Sequence, residues 1–466
     1  MGMADGLIVA GYVLALVGSS LRGGKGIRDA ADFTASSGTY GTFVIFATMA
    51  ASYIGGGYSS GNAAAAFESG IGTTLALCGF SLSTVIVGKW IAPRAARFTG
   101  EATVGAIMER CYGKSARRWT GLFAFLVCAG VVGAQAETMG VVLRALFGWP
   151  EWLGSLLGCG VVLVYSTFGG MKSVIVADVA QFLLLAVGMP VLLIAGLYRV
   201  GGLSALANAL PASHLDPFSS LSPVAFVFLF GNMMLGEALV PPYTQRLLIG
   251  KNARATVRGT VLSGLFSAPF FALTGTIGLI ALALGVSDDP ATAMPALIGA
   301  VLPVGLRGLV MAAMVSVTLS AADSFLNSAS ISLICDVWMP AHPIADGKSQ
   351  LMALRATNLL TGTVALAVSF ALPDVFGILM LAYACWAPLV VVPLAAALLG
   401  VRSSGRAFRR GMLCGLAVTL IWNGVLGRPF GADGTLPGTL GNLLAFWLST
   451  RALRRRQSSS LQMRIR

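Results

Sequence analysis

Charged side chains are scarce in this sequence. Asp, Glu, Lys and Arg make up only 11% of its 466 residues, whereas hydrophobic residues make up 56%. A typical soluble domain carries about 25% charged residues, so this composition excludes an ordinary soluble globular protein. Together with a mean hydropathy of +0.83, it predicts an all-α protein that crosses a membrane many times.

Residues that support catalysis or metal binding are equally few. The chain has two His and seven Cys; His214 and His342 stand alone in loop sequence, and no two Cys form a CxxC pair. The nucleotide-binding pattern GxxxxGK[ST] is absent. These absences exclude a His-based metal or catalytic site and an ATP-driven pump. We therefore expect no enzyme activity and no organic cofactor, and any energy for transport should come from an ion gradient.

Long apolar runs fill most of the chain instead. A membrane-spanning helix needs about 20 mostly apolar residues. The first candidate segment is followed by RGGKGIR rather than by a small-residue cleavage site, which indicates a span and not a signal peptide. No soluble domain is left between the segments, so residues 1–466 are predicted to form one polytopic domain. The thirteen predicted spans lie near 4–20, 41–66, 72–92, 119–145, 151–168, 173–198, 222–240, 258–285, 305–335, 355–372, 375–399, 410–427 and 435–450.

Basic residues are distributed unevenly between alternate loops. If the N-terminus lies outside and each segment crosses once, 27 of the 31 Lys and Arg residues fall on the inner side. The exceptions are Arg144, Arg199, Arg307 and Arg428. Because positive residues favour the cytoplasmic side, the pattern predicts an outer N-terminus, a cytoplasmic C-terminus and a location in the plasma or inner cell membrane.

The same bias accounts for the net charge of +13. In a soluble protein such a charge would suggest nucleic-acid binding. Here it orients the chain and favours contact with anionic membrane lipid. We expect membrane lipid and a small-molecule solute as partners, and neither nucleic acid nor an obligate protein partner.

Two acidic residues, Asp178 and Asp323, lie deep inside apolar segments. A carboxylate in the hydrocarbon layer costs at least about 2.5 kcal/mol on insertion scales, so such residues usually face a cavity or a partner. A stripe of hydroxyl and amide side chains can also serve only to join helices. The acid at position 323 favours an ion or proton site. It shares its segment with Ser316, Thr318, Ser320, Ser324, Asn327 and Ser328.

Helix-breaking residues are concentrated in two segments. The second span contains Gly55, Gly56 and Gly57, and the seventh ends at Pro241 and Pro242. If spans two to six and seven to eleven form two halves, each half begins with an interrupted helix, as in inverted-repeat transporters. The alternative is a packing cluster of glycines and an ordinary helix end. The first interpretation predicts a five-plus-five inverted-repeat core at about 41–399, with peripheral helices at 4–20, 410–427 and 435–450.

Four motifs resemble those of the solute:sodium symporter family, over nearly the whole chain. They are AASYIGGGY in the second span, YSTFGGMKSVIVADVAQ across the fifth and sixth, PPYTQRLL after the seventh and LSAADSFLNSAS in the ninth. Among the branches of the family, the sequence is most similar to the high-affinity choline transporters. The resemblance implies a thirteen-helix fold and sodium-coupled transport of a small solute by alternating access.

The resemblance also implies a site for the coupling ion, Na⁺. Family members bind sodium between the broken second span and the ninth, through backbone carbonyls and two hydroxyls. Position 321 is Ala, so one of the two expected hydroxyls is missing. Asp323 lies two residues further on, about 200° around the helix, and is a separate candidate for coupling or proton transfer. The matching sodium ligands are Ala51, Ile54, Val317 and Ser320, with Asp178 as a family position that helps to hold a second sodium in some members.

The residues expected to bind the solute differ from those of the choline branch, whose members surround a quaternary ammonium with aromatic rings. Tyr53 and Val240 stand where matching tryptophans are expected, and VVGAQAET in the fourth span has no aromatic residue. Polar residues nearby suit a positively charged or hydroxyl-rich ligand, although an acid could instead stabilise a helix terminus and Trp386 could be a packing residue. The candidates are Gln135, Glu137, Asn232 and Glu237, with Tyr53, Tyr58, Ser60, Asn62, Tyr383 and Trp386 as further wall residues.

The leading interpretation is a sodium-coupled symporter for a small polar or cationic organic solute. A proton-coupled transporter of the same fold is the alternative. An ion channel also lines its path with oxygen atoms, but no repeated filter sequence is visible. An intramembrane enzyme would need a nucleophile–base pair or a metal-ligand cluster, and neither is found. Saturable, gradient-dependent uptake would separate a transporter from a channel.

Overall fold

The computed structural model describes residues 2–24, 29–30, 33, 38–372 and 374–465, apart from the side chains of residues 23–24, 172 and 454–465. Across these residues the regular structure is helical, and the one β pairing is a bridge between Tyr40 and Gly250. The predicted all-α class is confirmed.

Thirteen helices in the described chain coincide with the thirteen predicted spans. In the first half they are α1 (Met3–Gly24), α2a (Thr42–Tyr53) with α2b (Asn62–Ser69), α3 (Ile71–Phe98), α4 (Lys114–Phe147), α5 (Glu151–Met171) and α6 (Ser173–Val200). In the second they are α7a (Pro223–Gly236) with α7b (Pro241–Arg246), α8 (Ala253–Leu284), α9 (Leu306–Trp338), α10 (Gly347–Ala371), α11 (Val375–Leu399), α12 (Gly405–Leu420) and α13 (Thr435–Ile465).

Nine helices within the described residues are long and apolar enough to cross a membrane without interruption. Two more, α2 and α7, are broken in the middle. The remaining two are α12, which has 16 residues before a π-helical turn, and α13, which runs on into the polar C-terminal sequence. Helices α5 and α6 follow each other directly, and Gly170 allows the kink between them with a φ of 60°. The broken first helices predicted for the two halves are confirmed.

Close packing accounts for the glycines at the break in α2. A Cβ on Gly56 would lie 1.9 Å from Thr138 Oγ1, and a Cβ on Gly57 would lie 2.3 Å from a side-chain carbon of Leu379. The amide of Gly56 has left the helical hydrogen-bond pattern and donates to Gln135 Oε1 at 2.7 Å. Residues without a Cβ therefore let α4 and α11 approach the broken backbone directly.

Proline and a left-handed residue produce the break in α7. Pro241 and Pro242 open α7b, where the missing amide protons cost nothing because helix-start amides have no internal partner. Before them, Leu239 has a φ of 56°. The indole Nε1 of Trp386 on α11 donates to the carbonyl of Ala238 at 2.9 Å, which satisfies a backbone group that the break releases.

The two broken helices are joined by their flanking chain. The amides of Thr39 and Tyr40 donate to the carbonyl of Ile249 at 2.9 and 3.1 Å, and the amide of Lys251 donates back to Tyr40 at 2.9 Å. The chain that enters α2a is thus paired with the chain that leaves α7b.

Helix α9 lies at the centre of the bundle. Every side chain from Val310 to Ile331 is buried, and the helix packs against α1, α2a, α4, α5, α6, α7b and α10. At its start, Asp5 of α1 accepts the amides of Gly305 and Gly308 at 2.8 and 3.0 Å. A carboxylate at a helix N-terminus is favoured by the exposed amides and the helix dipole. Asp5 of α1 therefore caps the N-terminal end of α9.

Candidate functional site

A buried ion pair lies where α2a, α6, α7b and α9 meet. Arg246 Nη2 is 2.9 Å from Asp178 Oδ2, and both side chains are 1% exposed. Ser320 donates to Asp178 Oδ1 at 2.6 Å, and Thr48 donates to the other carboxylate oxygen. Arg246 also donates to Thr48 at 3.0 Å and to Ser324 at 2.7 Å. Because charge and hydrogen bonds are both satisfied, the Asp178 carboxylate is tolerated at this depth.

The residues whose carbonyl groups are predicted to hold sodium lie on α2a and α9, two of the helices that form this network. Ala51 and Ile54 lie at the end of α2a and Val317 lies on α9; all three are at most 4% exposed. The two helices touch at this level, where Ser52 Oγ is 3.2 Å from Ser324 Oγ. Carbonyls at the end of a half-helix lack internal partners and suit a hard cation. The predicted ligands therefore occupy neighbouring parts of two helices in contact.

The sequence pattern assigned Arg246 to an inner loop, and this assignment was wrong. Arg246 follows Pro241 and Pro242, where the seventh span is predicted to end, and was counted among the basic residues of an inner loop. The structure instead buries it at the end of α7b, so one of the counted charges lies inside the protein. An available signal was the Arg of the PPYTQR motif, since an acid at membrane depth often pairs with a basic residue.

Asp323 is buried on α9 without such a partner. Its side chain is 2% exposed, and Oδ1 has no hydrogen-bond partner among the described residues. It lies beside Ser166 and borders a half-open pocket of about 550 Å³ lined by α1, α5, α6 and α9. Both amide atoms of Gln181, on the same cavity, are also without partners in the described part of the chain. An unpaired carboxylate next to free polar atoms can accept a cation or a proton.

A second unpaired carboxylate, Glu237, lies at the break of α7. The side chain is 2% exposed and faces the hydroxyl groups of Tyr58, Tyr243 and Tyr383. Within the described residues, Glu237 Oε2 and the Tyr243 hydroxyl have no hydrogen-bond partner. We call these four residues the Glu237 cluster. It brings together side chains from the π-helical turn Gly57–Gly61 at the break of α2, from α7 and from α11.

Aromatic rings enclose the Glu237 cluster. Phe80 of α3 lies 4.8 Å from Tyr53 and 5.2 Å from Tyr58 between ring centroids, and Phe271 of α8 stacks on Tyr58 at 5.0 Å. The Tyr53 hydroxyl donates to the carbonyl of Ser263 at 2.7 Å, so this ring forms the wall rather than a polar contact. Tyr53, Tyr58, Tyr383 and Glu237 are therefore four predicted wall residues that the fold brings together, and Trp386 supports the α7 backbone beside them.

Three other predicted wall residues hold the backbone and helix contacts near the breaks. Gln135 binds the amide of Gly56, as described above. Ser60 donates to the carbonyl of Gly56 at 3.1 Å. Asn62 donates to the carbonyl of Phe271 and to the Thr274 hydroxyl, both at 2.8 Å. These residues stabilise the broken helix and its contact with α8.

The last two predicted wall residues lie away from the Glu237 cluster. Glu137 on α4 accepts a hydrogen bond from Ser369 of α10 at 2.7 Å. Asn232 on α7a donates to Asp433 at 2.8 Å and accepts the amide of Leu436 at 3.0 Å. Asn232 thus joins α7a to the start of α13.

Two further buried acids did not stand out in the sequence, and each has an arginine partner. Asp5 is 2.6 Å from Arg307. Asp336, at the far end of α9, is 3.0 Å from Arg117 of α4 and accepts the Thr103 hydroxyl at 2.6 Å. Both lie near the ends of predicted spans, where a sequence pattern does not distinguish a buried acid from a solvated one.

Two interrupted helices packed side by side, with unpaired and paired charges between them, define the class of protein. This is the architecture of secondary transporters whose ligand sites lie at helix breaks near the middle of the membrane. Similarity to known proteins then identifies the family. The sodium:solute symporter family model matches residues 33–418, and the chain belongs to that family.

Individual relatives agree with this assignment. The chain is 24% identical over 439 residues to the sodium/pantothenate symporter of Escherichia coli, with 90% of each chain covered. It is 25% identical to sodium/glucose cotransporter 4 of Danio rerio, covering 75% of this chain and 59% of the relative. It is 25% identical to the human high affinity choline transporter 1, covering 71% and 60%. The chain thus spans about three fifths of the length of these vertebrate relatives.

Solved structures share the fold. A Na⁺-coupled sialic acid symporter, in a substrate-bound outward-open state, matches with a TM-score of 0.81 at 17% identity, over 97% of this chain and 98% of the other. A nucleobase-cation-symport-1 family transporter in a closed conformation matches with a TM-score of 0.59 at 16% identity, over 91% and 94%. The predicted family and fold are confirmed, and the chain belongs with transporters rather than enzymes.

Proposed function

We propose that the protein is a sodium-coupled symporter that imports a small polar or cationic organic solute by alternating access. The observation that carries this proposal is the meeting of the two broken helices, with the Asp178–Arg246 network on one side and the Glu237 cluster on the other. A site for a cation and a site for a solute next to the same pair of breaks can be coupled by one conformational change.

Sodium is the proposed coupling ion, and no organic cofactor takes part. Its ligands are the carbonyls of Ala51, Ile54 and Val317 and the hydroxyl of Ser320. Since Ser320 also donates to Asp178, its lone pairs remain free to face the ion. Asp178 then acts by orienting Ser320 and by balancing charge with Arg246.

Asp323 supports the alternative of proton coupling in the same fold. It is an unpaired carboxylate on a cavity, so it can exchange a proton without breaking an ion pair. A cation held there would equally make it a second coupling site.

The organisation in the membrane is part of the proposal. Residues 1–466 form one transporter domain with an inverted-repeat core at about 41–399, and α1, α12 and α13 are peripheral. The N-terminus lies outside and the basic C-terminal sequence lies in the cytoplasm, where it contacts anionic lipid of the cell membrane.

The test is uptake of a radiolabelled solute panel into proteoliposomes, with sodium and pH gradients imposed separately. Saturable uptake that requires inward-directed sodium supports the proposal, and Asp178→Asn should weaken it at every pH. Full activity driven by a proton gradient in sodium-free buffer would overturn sodium coupling. In that case Asp323→Asn should abolish the response to pH, whereas Asp374→Asn, a change at the start of α11, serves as the control.

A further inference from the structure

We infer that the Glu237 cluster binds an organic ammonium ion that carries N–H donors, that is, a primary or secondary amine, and discriminates against quaternary ammonium ions. This inference rests on the proposed function, because it takes the cluster to be the solute site. It adds the chemical class of the solute and the residues that select it.

Charge is the first observation. A carboxyl group buried in a membrane protein is stabilised either by a positive partner or by a proton. Glu237 has no Lys or Arg within ion-pair distance among the described residues, although it is as deeply buried as acids that do. The paired acids are Asp5 with Arg307, Asp178 with Arg246 and Asp336 with Arg117. A cationic solute would supply the missing charge at Glu237.

The ends of α7a and α7b at the break also favour a positively charged ligand. Glu237 follows directly after α7a, where the helix C-terminus carries a partial negative charge. On the other side, α7b begins with Pro241 and Pro242, which have no amide proton to offer to an anion. The break therefore attracts a cation at one end and lacks two of the donors that would hold a carboxylate at the other.

Unmet hydrogen bonds indicate what kind of cation fits. Glu237 Oε2 is a buried acceptor without a partner in the described residues, and the Tyr243 hydroxyl is likewise unpaired. The hydroxyls of Tyr58 and Tyr383 are 3.5 Å apart and face the same carboxylate. An ammonium group with two or three N–H donors would satisfy these oxygen atoms together. A quaternary ammonium has no donor and would leave Glu237 Oε2 and the Tyr243 hydroxyl without a partner.

The aromatic rings do not replace those donors. Binding of a quaternary ammonium relies on several free ring faces around the cation. Here one face of Tyr58 is covered by Phe271, and Phe80 packs against both Tyr53 and Tyr58. Val240, which follows the positive-φ residue Leu239 at the break of α7, is buried and aliphatic, so it offers no ring face to a cation. The rings exclude water from the carboxylate, and the carboxylate and hydroxyls provide the selectivity.

The test compares ligands that share a carbon chain and differ only in one end group, which is a primary amine, a trimethylammonium or a hydroxyl. The full-length protein, purified in detergent with sodium present, is titrated with ethanolamine, choline and ethylene glycol, and in parallel with n-butylamine, butyltrimethylammonium and n-butanol. The shift in melting temperature and competition between the ligands report binding. In one or both series, we expect the primary amine to bind at least about tenfold more tightly than its trimethyl and neutral counterparts, because a site built to hydrogen-bond a ligand rejects analogues without the group.

Variants of the cluster then locate the selectivity. Glu237→Gln should reduce amine binding to the level of the neutral counterpart, and Tyr243→Phe should reduce it several-fold while keeping the ring. Glu151→Gln, the same change at the start of α5, should leave binding unaltered. Equal binding of the amine and trimethyl compounds in both series, or an amine preference that survives Glu237→Gln and Tyr243→Phe, would overturn the inference. So would the absence of any amine-dependent shift in the wild-type protein.

Binding and transport outcomes are separable. Amine binding that depends on Glu237 without sodium-driven uptake in proteoliposomes would leave this inference standing and refute the proposed coupling. Sodium-driven uptake of a neutral solute that is insensitive to Glu237→Gln would do the reverse.

Discussion

Single side chains on α9 decide how a sodium ion would be held. Ser320 donates its hydroxyl proton to Asp178 at 2.6 Å, which leaves its lone pairs available to a cation. Ala321 beside it provides no oxygen. The proposed sodium site is therefore one hydroxyl short of the pattern that the resemblance implies, and we expect its affinity to respond strongly to changes at these two positions.

Ser320→Ala is expected to lower sodium-stimulated uptake more than loss of any neighbouring hydroxyl. Ala321→Ser should raise the apparent sodium affinity, because it restores the missing ligand. Sodium-dependence curves of uptake in proteoliposomes measure both effects. Ser330→Ala is the matched control on the same helix, since Ser330 bonds to Asn358 of α10 instead. Sodium curves unchanged by both substitutions would refute the assignment of the site.

The Asp178–Arg246 pair should also reveal itself through stability. Arg246→Gln leaves a buried carboxylate without its cation and should destabilise the protein by about 3–5 kcal/mol, and Asp178→Asn should act similarly by leaving the guanidinium unpaired. The double variant removes both charges and should cost less than the sum of the single changes. The free energy of unfolding in detergent measures this, and strictly additive losses would argue against a direct pair.

At the scale of the helix, the break in α2 depends on glycine at one position above all. A Cβ on Gly56 would lie 1.9 Å from Thr138 Oγ1, so α4 cannot approach the break once that atom is present. Gly160 on α5 offers a comparison, because a Cβ there has no atom within 4 Å among the described residues. Substitution of each glycine by Ala therefore separates the effect of a steric clash from the effect of helix propensity.

Gly56→Ala is therefore expected to lower the melting temperature and abolish uptake, whereas Gly160→Ala should be neutral or slightly stabilising, by up to about 1 kcal/mol. Thr138→Gly in the Gly56→Ala background should recover part of the loss by making room for the methyl group. Thermal unfolding and uptake of the four proteins provide the measurement. If Gly56→Ala behaves like Gly160→Ala, the close approach of α4 is not required.

At the scale of the whole molecule, the distribution of basic residues predicts its orientation. Burial of Arg246 removes one charge from the inner set, but most of the inner Lys and Arg remain in loops or helix ends by sequence position. A fluorescent or enzymatic reporter fused after Arg466 should report a cytoplasmic location, and one fused at the N-terminus should report the opposite side. Reporters on the same side at both termini would mean that the number of crossings is even, and an outer C-terminus with an inner N-terminus would mean that the orientation is inverted.

The amino-acid sequence by itself determined the all-helical membrane class, the thirteen helices and the positions of the two breaks. These features depend on local composition, since apolar length selects a membrane helix and clustered Gly or Pro interrupts one. The motifs around Asp178 and Ser320 likewise identified the family. All of this information lies within short stretches of chain.

Only the tertiary structure decided which polar groups meet. Asp178 and Arg246 are 68 residues apart in sequence, and their pairing follows from how α6 and α7b pack, which no local pattern encodes. The same packing separated the candidate wall residues: it gathered Glu237 with three tyrosines and directed Glu137 and Asn232 to contacts with other helices. A carboxylate's role depends on whether a cation lies within a few ångströms of it, because electrostatic interaction in a low-dielectric interior is set by distance and partner.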